Sequence, residues 1–202
     1  MVENPRNIEW QVTATSAEAR ERLLGQKGCV VWLTGLSGSG KTTIGSGLEA
    51  QLMKSGHASF LLDGDNLRHG LCADLSFSES DRNENIRRVG EVAGLFADAG
   101  LIVVCSFISP MAEQRAQARS IVASDRFIEV FVDAPLSVCE ERDPKGLYAR
   151  VRRGEIEGFT GIAADYEPPS RPDIHIQTEA EDVVTSTQRI IDYLFRAKVI
   201  GA

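Results

Sequence analysis

Short apolar runs alternate along this chain with longer segments in which apolar residues recur at helical spacing. We predict strands at five of these runs, residues 29–33, 59–62, 101–107, 127–132 and 174–176. Most of the runs are apolar on both faces, which is typical of strands in a parallel sheet that helices cover on each side. The pattern therefore indicates a mainly parallel, five-stranded sheet with helices on both faces.

Five further segments have a helical pattern, at residues 42–54, 79–99, 111–123, 136–141 and 180–197. The second has the clearest period, because apolar residues recur close to every 3.6 positions at Ile86, Val89, Ala93, Phe96 and Ala97. Strands separated by helices predict βαβ crossovers and a doubly wound α/β fold. No internal repeat or low-complexity linker interrupts the pattern, so a single domain is the simplest interpretation.

Two parts of the chain do not follow this alternation. Residues 143–172 are rich in charged residues, Gly and Pro, and show neither a helical nor a strand pattern. A loop of that length in a compact domain is usually functional or disordered. We interpret residues 1–27 as an N-terminal extension and residues 28–202 as the folded domain.

The charge balance excludes some classes of partner. The chain has 22 Lys and Arg residues against 29 Asp and Glu residues, a formal net charge of −7. Such a chain is a poor candidate for general binding to nucleic acid or to anionic membranes. No apolar run approaches the roughly 20 residues that span a bilayer. An anionic ligand must therefore be captured by a local basic site.

The N-terminal residues and the cysteines predict a cytoplasmic protein. Residues 1–10 carry charges and a Pro instead of the apolar segment of a secretory signal. The cysteines, Cys29, Cys72, Cys105 and Cys139, are scattered without the spacing of metal ligands. We expect them to be reduced thiols.

A phosphate-binding loop follows the first predicted strand. The motif GxxxxGK[ST] lies between a strand and a helical pattern, which is the setting this motif requires. Its backbone N–H groups can point at phosphate oxygens, Lys41 can reach the β- and γ-phosphates, and the Thr42 hydroxyl can ligate Mg²⁺. The motif indicates ATP binding by Gly35, Leu36, Ser37, Gly38, Ser39, Gly40, Lys41, Thr42 and Thr43.

Polar residues after the second predicted strand form a second candidate site. Asp63 and Asp65 follow a strand at the edge where open α/β sheets bind ligands. A carboxylate there can orient hydrated Mg²⁺ or accept a proton from an attacking hydroxyl, although Asp-Gly-Asp-Asn is also common turn chemistry. Arg82 and Asn85 lie near the start of the next helix, where Arg suits phosphate or sulfate oxygens. A solvated helix face is the alternative for the neighbouring arginines.

Several longer phrases resemble a known family. They read GLSGSGKTT, LDGDNLRHGL, DLSFSESDRNENIRR, FADAG, SFISP, DPKGLYARVRRGEIEGFTGI and DYEPP, and they extend over residues 28–173. In these phrases the chain resembles adenylyl-sulfate kinase (APS kinase), which makes 3′-phosphoadenosine 5′-phosphosulfate from adenosine 5′-phosphosulfate (APS) and ATP. The resemblance implies a P-loop NTPase fold with a mobile lid at about residues 143–166.

The resemblance also implies roles for the matching positions. Asp63 would be the catalytic carboxylate, as a base or through Mg²⁺ held with Thr42, directly or through water. Lys41 would act on the triphosphate, and Arg142 would lie near the ATP adenine. The APS site would be formed by Asp63, Asp65, Arg68, Phe77, Arg82, Asn85, Ile108, Lys145, Leu147 and Phe159. In that set, Arg68, Arg82 and Asn85 hold the phosphosulfate, and Phe77 and Phe159 stack on the adenine.

Ser109 matches a serine to which this family resemblance assigns the role of a phosphoserine intermediate. In-line transfer needs only positioning and charge stabilisation, and no activating base is evident nearby in the sequence. We therefore predict that Ser109 is a capping hydroxyl before Pro110. Residues 111–114 depart from the family pattern, and Ser59 stands where plant relatives have a cysteine of a regulatory disulfide, so no such redox switch is expected.

Two other functions fit part of this pattern. The loop and carboxylates alone would also suit another P-loop kinase of a nucleoside, nucleotide or small metabolite, against which the DGDN, SFISP and KGLY phrases argue. A catalytically inactive regulatory module is the second alternative, against which the intact Lys41, Asp63 and Arg82 argue. The family suggests a homodimer supplied by a separate ATP sulfurylase.

Overall fold

The computed structural model describes residues 8, 9, 11, 13–122 and 124–201. Its centre is a five-stranded parallel sheet in the order β2-β3-β1-β4-β5. The strands are β1 (Cys29–Thr34), β2 (Ser59–Asp63), β3 (Ile102–Ser106), β4 (Phe127–Asp133) and β5 (Ile174–Gln177). The predicted single-domain α/β fold is confirmed, and every pair of neighbouring strands is parallel.

Eight α-helices belong to the described part of the chain. They are α1 (Ala17–Leu24), α2 (Lys41–Lys54), α3 (Gly64–Leu67), α4 (Glu79–Asp98), α5 (Ala112–Ile121), α6 (Leu136–Arg142), α7 (Leu147–Arg152) and α8 (Val183–Arg196). Helices α4 and α8 begin where Ser78 and Asp182 accept a backbone N–H three residues further on. The last predicted helix therefore begins three residues later than its pattern suggested.

Alternating side chains of β1 divide the main core between the two faces of the sheet. Val31 and Leu33 pack with apolar residues of α2 and α8, whereas Val30 and Trp32 pack with those of α4 and α5. A third cluster lies apart from both faces and joins Ala134, Cys139 and Tyr148 to Leu36, Leu136, Phe159 and Ile162. This cluster connects the segment after β1 to residues 143–166, which we call the lid.

Two sequence interpretations change at this level. The segment 143–172 contains helix α7, which the sequence pattern did not indicate. The stretch assigned to an N-terminal extension contains helix α1, and Gln26 behind it exchanges 2.8 Å hydrogen bonds with Ala58 and donates another of 2.8 Å to the Gly100 carbonyl. Residues 1–7, 10 and 12 and the predicted helix end at residue 123 lie outside the described residues.

Two observations bear on the predicted class of protein. Within the described residues, no helix is long and apolar enough to cross a membrane. Cys29, Cys72, Cys105 and Cys139 are buried and have free thiols.

Candidate active site

A cavity of about 1230 Å³ opens at the carboxyl edge of the sheet. Its walls are the loop between β1 and α2, the segment after β2, the start of α4, the loop after β3, and the lid. Parallel α/β sheets bind their ligands at this edge. The two candidate sites predicted from the sequence are therefore parts of one cavity.

Glycines shape the loop between β1 and α2. Gly38 has a φ of 76°, and a Cβ at this position would lie 2.8 Å from the Cys139 carbonyl oxygen. Gly40 has a φ of 105° and stands directly before α2, whose first N–H groups have no partners within the helix. Only glycine adopts this backbone without strain and lets it approach α6 so closely. The loop thus brings a helix N-terminus and unsubstituted backbone to the cavity, which suits a phosphate.

The Lys41 side chain is folded back onto this loop. Its ammonium donates hydrogen bonds to the Gly35 carbonyl at 2.9 Å and the Leu36 carbonyl at 2.7 Å. Burial lowers the pKa of Lys41 to about 8. A phosphate placed in the loop would therefore meet an ammonium whose charge is poorly solvated, and binding would stabilise that charge.

Three side-chain oxygens converge where α2, β2 and β3 meet. The Thr42 hydroxyl donates to an Asp63 carboxylate oxygen at 2.8 Å and lies 3.3 Å from the Ser106 hydroxyl. The other Asp63 oxygen accepts the Asp65 N–H at 3.0 Å, which caps α3. Ser106 pairs with Asp63 in the register of the sheet, so both residues end their strands at the same level. These hard oxygen donors fit Mg²⁺.

Arginines dominate the opposite wall. The Arg68 guanidinium lies 4.2 Å from the centre of the Phe77 ring and covers one of its faces. Arg82 bridges α4 and the lid, donating to the Phe77 carbonyl (2.9 Å), the Thr160 hydroxyl (3.0 Å) and the Gly158 carbonyl (2.8 Å). Burial lowers the pKa of Arg82 from its ordinary value, but the group stays protonated at neutral pH. The two guanidinium groups give the cavity the local basic site that an acidic chain needs.

Other predicted residues close this wall. The Asn85 side-chain oxygen is buried and has no hydrogen-bond partner among the described residues. Lys145 of the lid forms an ion pair with Asp65 across the cavity mouth. Leu147 and Ile108 line the same space.

The two predicted stacking residues differ in their surroundings. Phe77 is 69% exposed, with one face free of Arg68. Phe159 is half-buried and packs edge-on against Tyr148, with ring centroids 5.0 Å apart and planes at 75°. Both rings line the cavity. Phe159 also packs into the third apolar cluster.

Arg142 lies beside the phosphate-binding loop. It donates to the Thr178 hydroxyl at 2.9 Å and to the Thr178 carbonyl at 2.8 Å, and it approaches the carbonyls of Gly38 and Ser39 at 3.5 Å. Thr178 follows β5 and also donates to the Ser39 carbonyl at 2.9 Å. These contacts fix Arg142 at the side of the cavity formed by the loop, α2 and the start of α8.

Ser109 has a different environment from the one predicted. Its hydroxyl accepts the indole N–H of Trp32 at 3.0 Å and donates to the Thr34 hydroxyl at 3.1 Å. Thr34 in turn donates to the Ile108 carbonyl at 2.7 Å and lies 3.0 Å from the Tyr166 hydroxyl. Ser109 is 2% exposed and caps no helix, since α5 begins after Met111. The predicted capping role is therefore wrong, and the hydroxyl belongs to a buried network that anchors the loop after β3.

We expect Ser109→Ala to retain wild-type kcat within about threefold and to form no phosphoenzyme with ATP alone. The free energy of unfolding should fall by about 1–3 kcal/mol, because the buried Trp32 N–H loses its acceptor. Turnover, calorimetric unfolding and mass spectrometry of the ATP-treated protein measure these effects. Ser120→Ala removes an exposed serine hydroxyl and serves as the control. A chemically competent phosphoserine at position 109 would contradict direct transfer.

Nearly all predicted site residues line the cavity. The exceptions are Gly35, Leu36 and Ser39, which form the back of the loop and pack against the protein. The sequence interpretation missed Ser106, Tyr148, Thr160 and Thr178, each of which forms a hydrogen bond with a predicted residue. For Ser106 a signal was available, since it lies near the carboxyl end of the predicted strand at residues 101–107, and Asp63 directly follows the predicted strand at residues 59–62.

Known proteins resemble this chain over most of its length. The family described as adenylylsulphate kinase matches residues 27–177. The adenylyl-sulfate kinase of Erwinia tasmaniensis is 52% identical over 201 residues, 99% of each chain. The structure of the Mycobacterium tuberculosis APS kinase CysC in complex with AMPPNP and APS has 49% identity and a TM-score of 0.80, over 84% of this chain and 98% of that one. A hexameric APS kinase from Thiobacillus denitrificans has 26% identity and a TM-score of 0.67, over 91% of this chain and 32% of that one.

Proposed function

This chain belongs to the adenylylsulphate kinase family, and we propose that its cavity carries out the family's reaction with the residues assigned below. The chain is an ATP-dependent adenylyl-sulfate kinase, which transfers the γ-phosphate of ATP to the 3′-hydroxyl of APS. The observation that carries the assignment is the contact between Thr42 of the phosphate-binding loop and Asp63, at 2.8 Å, with Arg68 and Arg82 on the facing wall. One cavity thus contains a triphosphate site and a second site for an anion, with the Asp63 carboxylate between them.

The triphosphate half is assigned to the loop and its flanks. Backbone N–H groups of Gly38 and Gly40 and the N-terminus of α2 bind phosphate oxygens. Lys41 leaves the carbonyls of Gly35 and Leu36 and binds the β- and γ-phosphates, because an anionic oxygen is a stronger partner than a carbonyl. Arg142 borders the ATP base from its position against Thr178.

Thr42 and Asp63 would hold Mg²⁺, directly or through water, with Ser106 beside them. When bound, the ion supplies positive charge that offsets the charge of the phosphate oxygens. The support for this assignment is the set of hard oxygen donors at the end of β2 and β3.

The second half of the cavity holds APS. Arg68, Arg82 and Asn85 bind the phosphosulfate, and Phe77 and Phe159 stack on the adenine, near the Ile108 backbone, Lys145 and Leu147. When APS is bound in this way, its 3′-hydroxyl oxygen attacks the γ-phosphorus of ATP in line with the β,γ-bridging oxygen. The new O–P bond forms as the bond to the bridging oxygen breaks, ADP leaves, and the hydroxyl proton passes to the Asp63 carboxylate.

A substrate panel tests this function. ADP release is measured in a coupled assay with APS, AMP, adenosine and cytidine monophosphate as separate acceptors. We expect APS to have the highest kcat/KM, because only APS offers the sulfate group that Arg68 and Arg82 face. A higher value for another acceptor would favour a different P-loop nucleotide kinase, and no turnover with any of them would favour a non-catalytic module.

The lid gives a second test through Phe159→Ala. Loss of the stacking face should raise the Kd for APS by about tenfold, since 1.4 kcal/mol is one decade, while the Kd for ATP changes much less. Hydrogen exchange of residues 143–166 should slow when both nucleotides bind, and slow less in the variant. Phe195→Ala, on the exposed face of α8, is the matched control. Equal losses for both nucleotides, with exchange unaffected by ligand, would contradict a substrate lid.

We further propose a cytoplasmic homodimer that acts in sulfate assimilation. Buried free thiols at all four cysteines support a reducing compartment. Phe60 and Leu95 are large apolar side chains that remain 48% and 65% exposed near one edge of the sheet, which supports a contact between copies. The substrate must come from a reaction that joins sulfate to the adenylyl group of ATP, so a separate ATP sulfurylase is the expected supplier.

A further inference from the structure

The third apolar cluster joins the phosphate-binding loop to the lid. Tyr148 of α7 is one of its buried members and is 2% exposed. Leu36 of the loop and Phe159 of the lid pack into the same cluster. Neither face of the sheet contributes to it, so it is a separate contact between the two nucleotide sites.

Tyr148 contacts both sites with different parts of its side chain. Its hydroxyl donates to the Ser37 carbonyl at 2.9 Å, and its ring meets the Phe159 ring edge-on at 5.0 Å. Burial raises the pKa of Tyr148 above its ordinary value, so the hydroxyl remains protonated and able to donate. One residue thus contacts the ATP loop and a stacking residue assigned to APS.

The hydroxyl orients a backbone donor of the loop. A trans peptide group is planar, so the N–H of Gly38 points opposite to the Ser37 carbonyl and away from Tyr148. Gly38 lies on the cavity wall, whereas Tyr148 lies behind it. The Tyr148 hydrogen bond therefore aims the Gly38 N–H at the place assigned to the triphosphate.

Tyr148 keeps this function when Lys41 moves. In this structure Lys41 donates hydrogen bonds to the carbonyls of Gly35 and Leu36, and Tyr148 donates one to the next carbonyl, that of Ser37. A bound triphosphate draws the Lys41 ammonium away from the first two carbonyls. The Ser37 carbonyl keeps its partner, because that partner comes from outside the loop.

The position of Tyr148 is itself fixed. Asp143 accepts the Tyr148 N–H at 3.1 Å and the Ala149 N–H at 3.0 Å, which satisfies the first turn of α7. The ring is closed in by Phe159 and the other apolar residues of the cluster. The Ser37 peptide and the Phe159 ring are therefore in contact with the same rigid aromatic side chain.

We propose that Tyr148 is a positioning residue that couples the ATP site to the APS site. Its hydroxyl fixes the Gly38 N–H for the triphosphate, and its ring fixes Phe159 for the adenine of APS. Occupation of one site then orders part of the other, and the coupling is reciprocal. This inference rests on the proposed placing of the two nucleotides.

Binding calorimetry with AMPPNP and APS tests the coupling. The Kd for each is measured alone and in the presence of the other, for wild type, Tyr148→Phe and Phe159→Leu. In wild type we expect AMPPNP to lower the Kd for APS about fivefold or more. In Tyr148→Phe, AMPPNP alone should bind about fivefold more weakly, and the coupling factor should fall below about twofold.

Two further variants separate positioning from packing. Phe159→Leu keeps the Tyr148 hydroxyl, so AMPPNP alone should bind as in wild type while the coupling factor falls. Tyr193→Phe removes a tyrosine hydroxyl that bonds Asp173 outside the cavity, and should leave both values unchanged. A wild-type coupling factor in Tyr148→Phe, or no coupling in wild type itself, would overturn the inference. Failure of wild type to bind APS at all would instead contradict the proposed function.

Discussion

Lys41→Ala is expected to lower kcat on the order of 10²–10³-fold, the usual effect of losing one donor that stabilises a transition state. In the free protein the ammonium donates to the carbonyls of Gly35 and Leu36, and from there it lies within reach of the phosphates assigned to the same loop. As charge spreads over the transferring phosphoryl oxygens, the ammonium stabilises it in a site where water is scarce. The KM for APS should change much less, because Lys41 is on the ATP side of Asp63.

Wild-type protein offers an independent measure of the same charge. The pKa of Lys41 in the free protein is lowered to about 8, so the group is protonated below that pH and loses its proton above it. ATP binds the protonated form, so ATP affinity should decline as the pH rises through about 8. Calorimetry between pH 7 and 9.5 should show this decline in wild type and not in Lys41→Ala.

Lys54→Ala is the matched control for Lys41→Ala. Lys54 is exposed at the last turn of the same helix and lies outside the cavity, so its removal should leave kcat unchanged. Near-normal turnover of Lys41→Ala would contradict the assignment of Lys41. Unfolding of the variant is measured alongside, because Lys41 also supports the loop in the free protein.

The parts of the fold that depend on local pattern could be predicted from the sequence. The β1 strand is apolar from Cys29 to Leu33, and α4 carries one strong apolar period between a serine cap and Gly100. Helix α7 could not be predicted, because its six residues are too few to show a period and include two arginines. Its existence depends on the Asp143 cap and on the burial of Tyr148 against the loop, which are tertiary contacts.

The same division applies to the site. A contiguous motif identified the phosphate loop, and Asp63 could be placed because it ends a strand of a parallel sheet. The bond from Tyr148 to Ser37 joins residues 111 positions apart, and that from Trp32 to Ser109 joins residues 77 positions apart. The position of Ser109 before a proline suggested a capping hydroxyl. In the structure, the Ser109 hydroxyl instead accepts the indole N–H of Trp32, which lies on the sheet. No residue pattern close to Ser37 or Ser109 in the sequence indicates which distant side chain each of them contacts.

Asp63→Asn is expected to have the second large effect, a fall in kcat on the order of 10²–10⁴-fold, the range for loss of a general base. Asparagine keeps the size of the side chain and can still accept the Asp65 N–H, so α3 should remain capped. Its amide nitrogen cannot accept the Thr42 hydroxyl or a proton from the substrate. The Kd values of AMPPNP and APS should therefore change far less than kcat.

The design of this experiment separates the two ways in which Asp63 could act. Dependence of kcat on Mg²⁺ is measured for wild type, Asp63→Asn and Asp98→Asn, the last removing an exposed carboxylate that pairs with Arg126 outside the cavity. If Asp63 accepts the proton, the variant should half-saturate at the wild-type Mg²⁺ concentration with a low maximum. If it acts by holding the ion, half-saturation should shift to higher Mg²⁺ and part of the activity should return. Normal turnover at saturating substrates, with collapsed binding, would make Asp63 a binding residue alone.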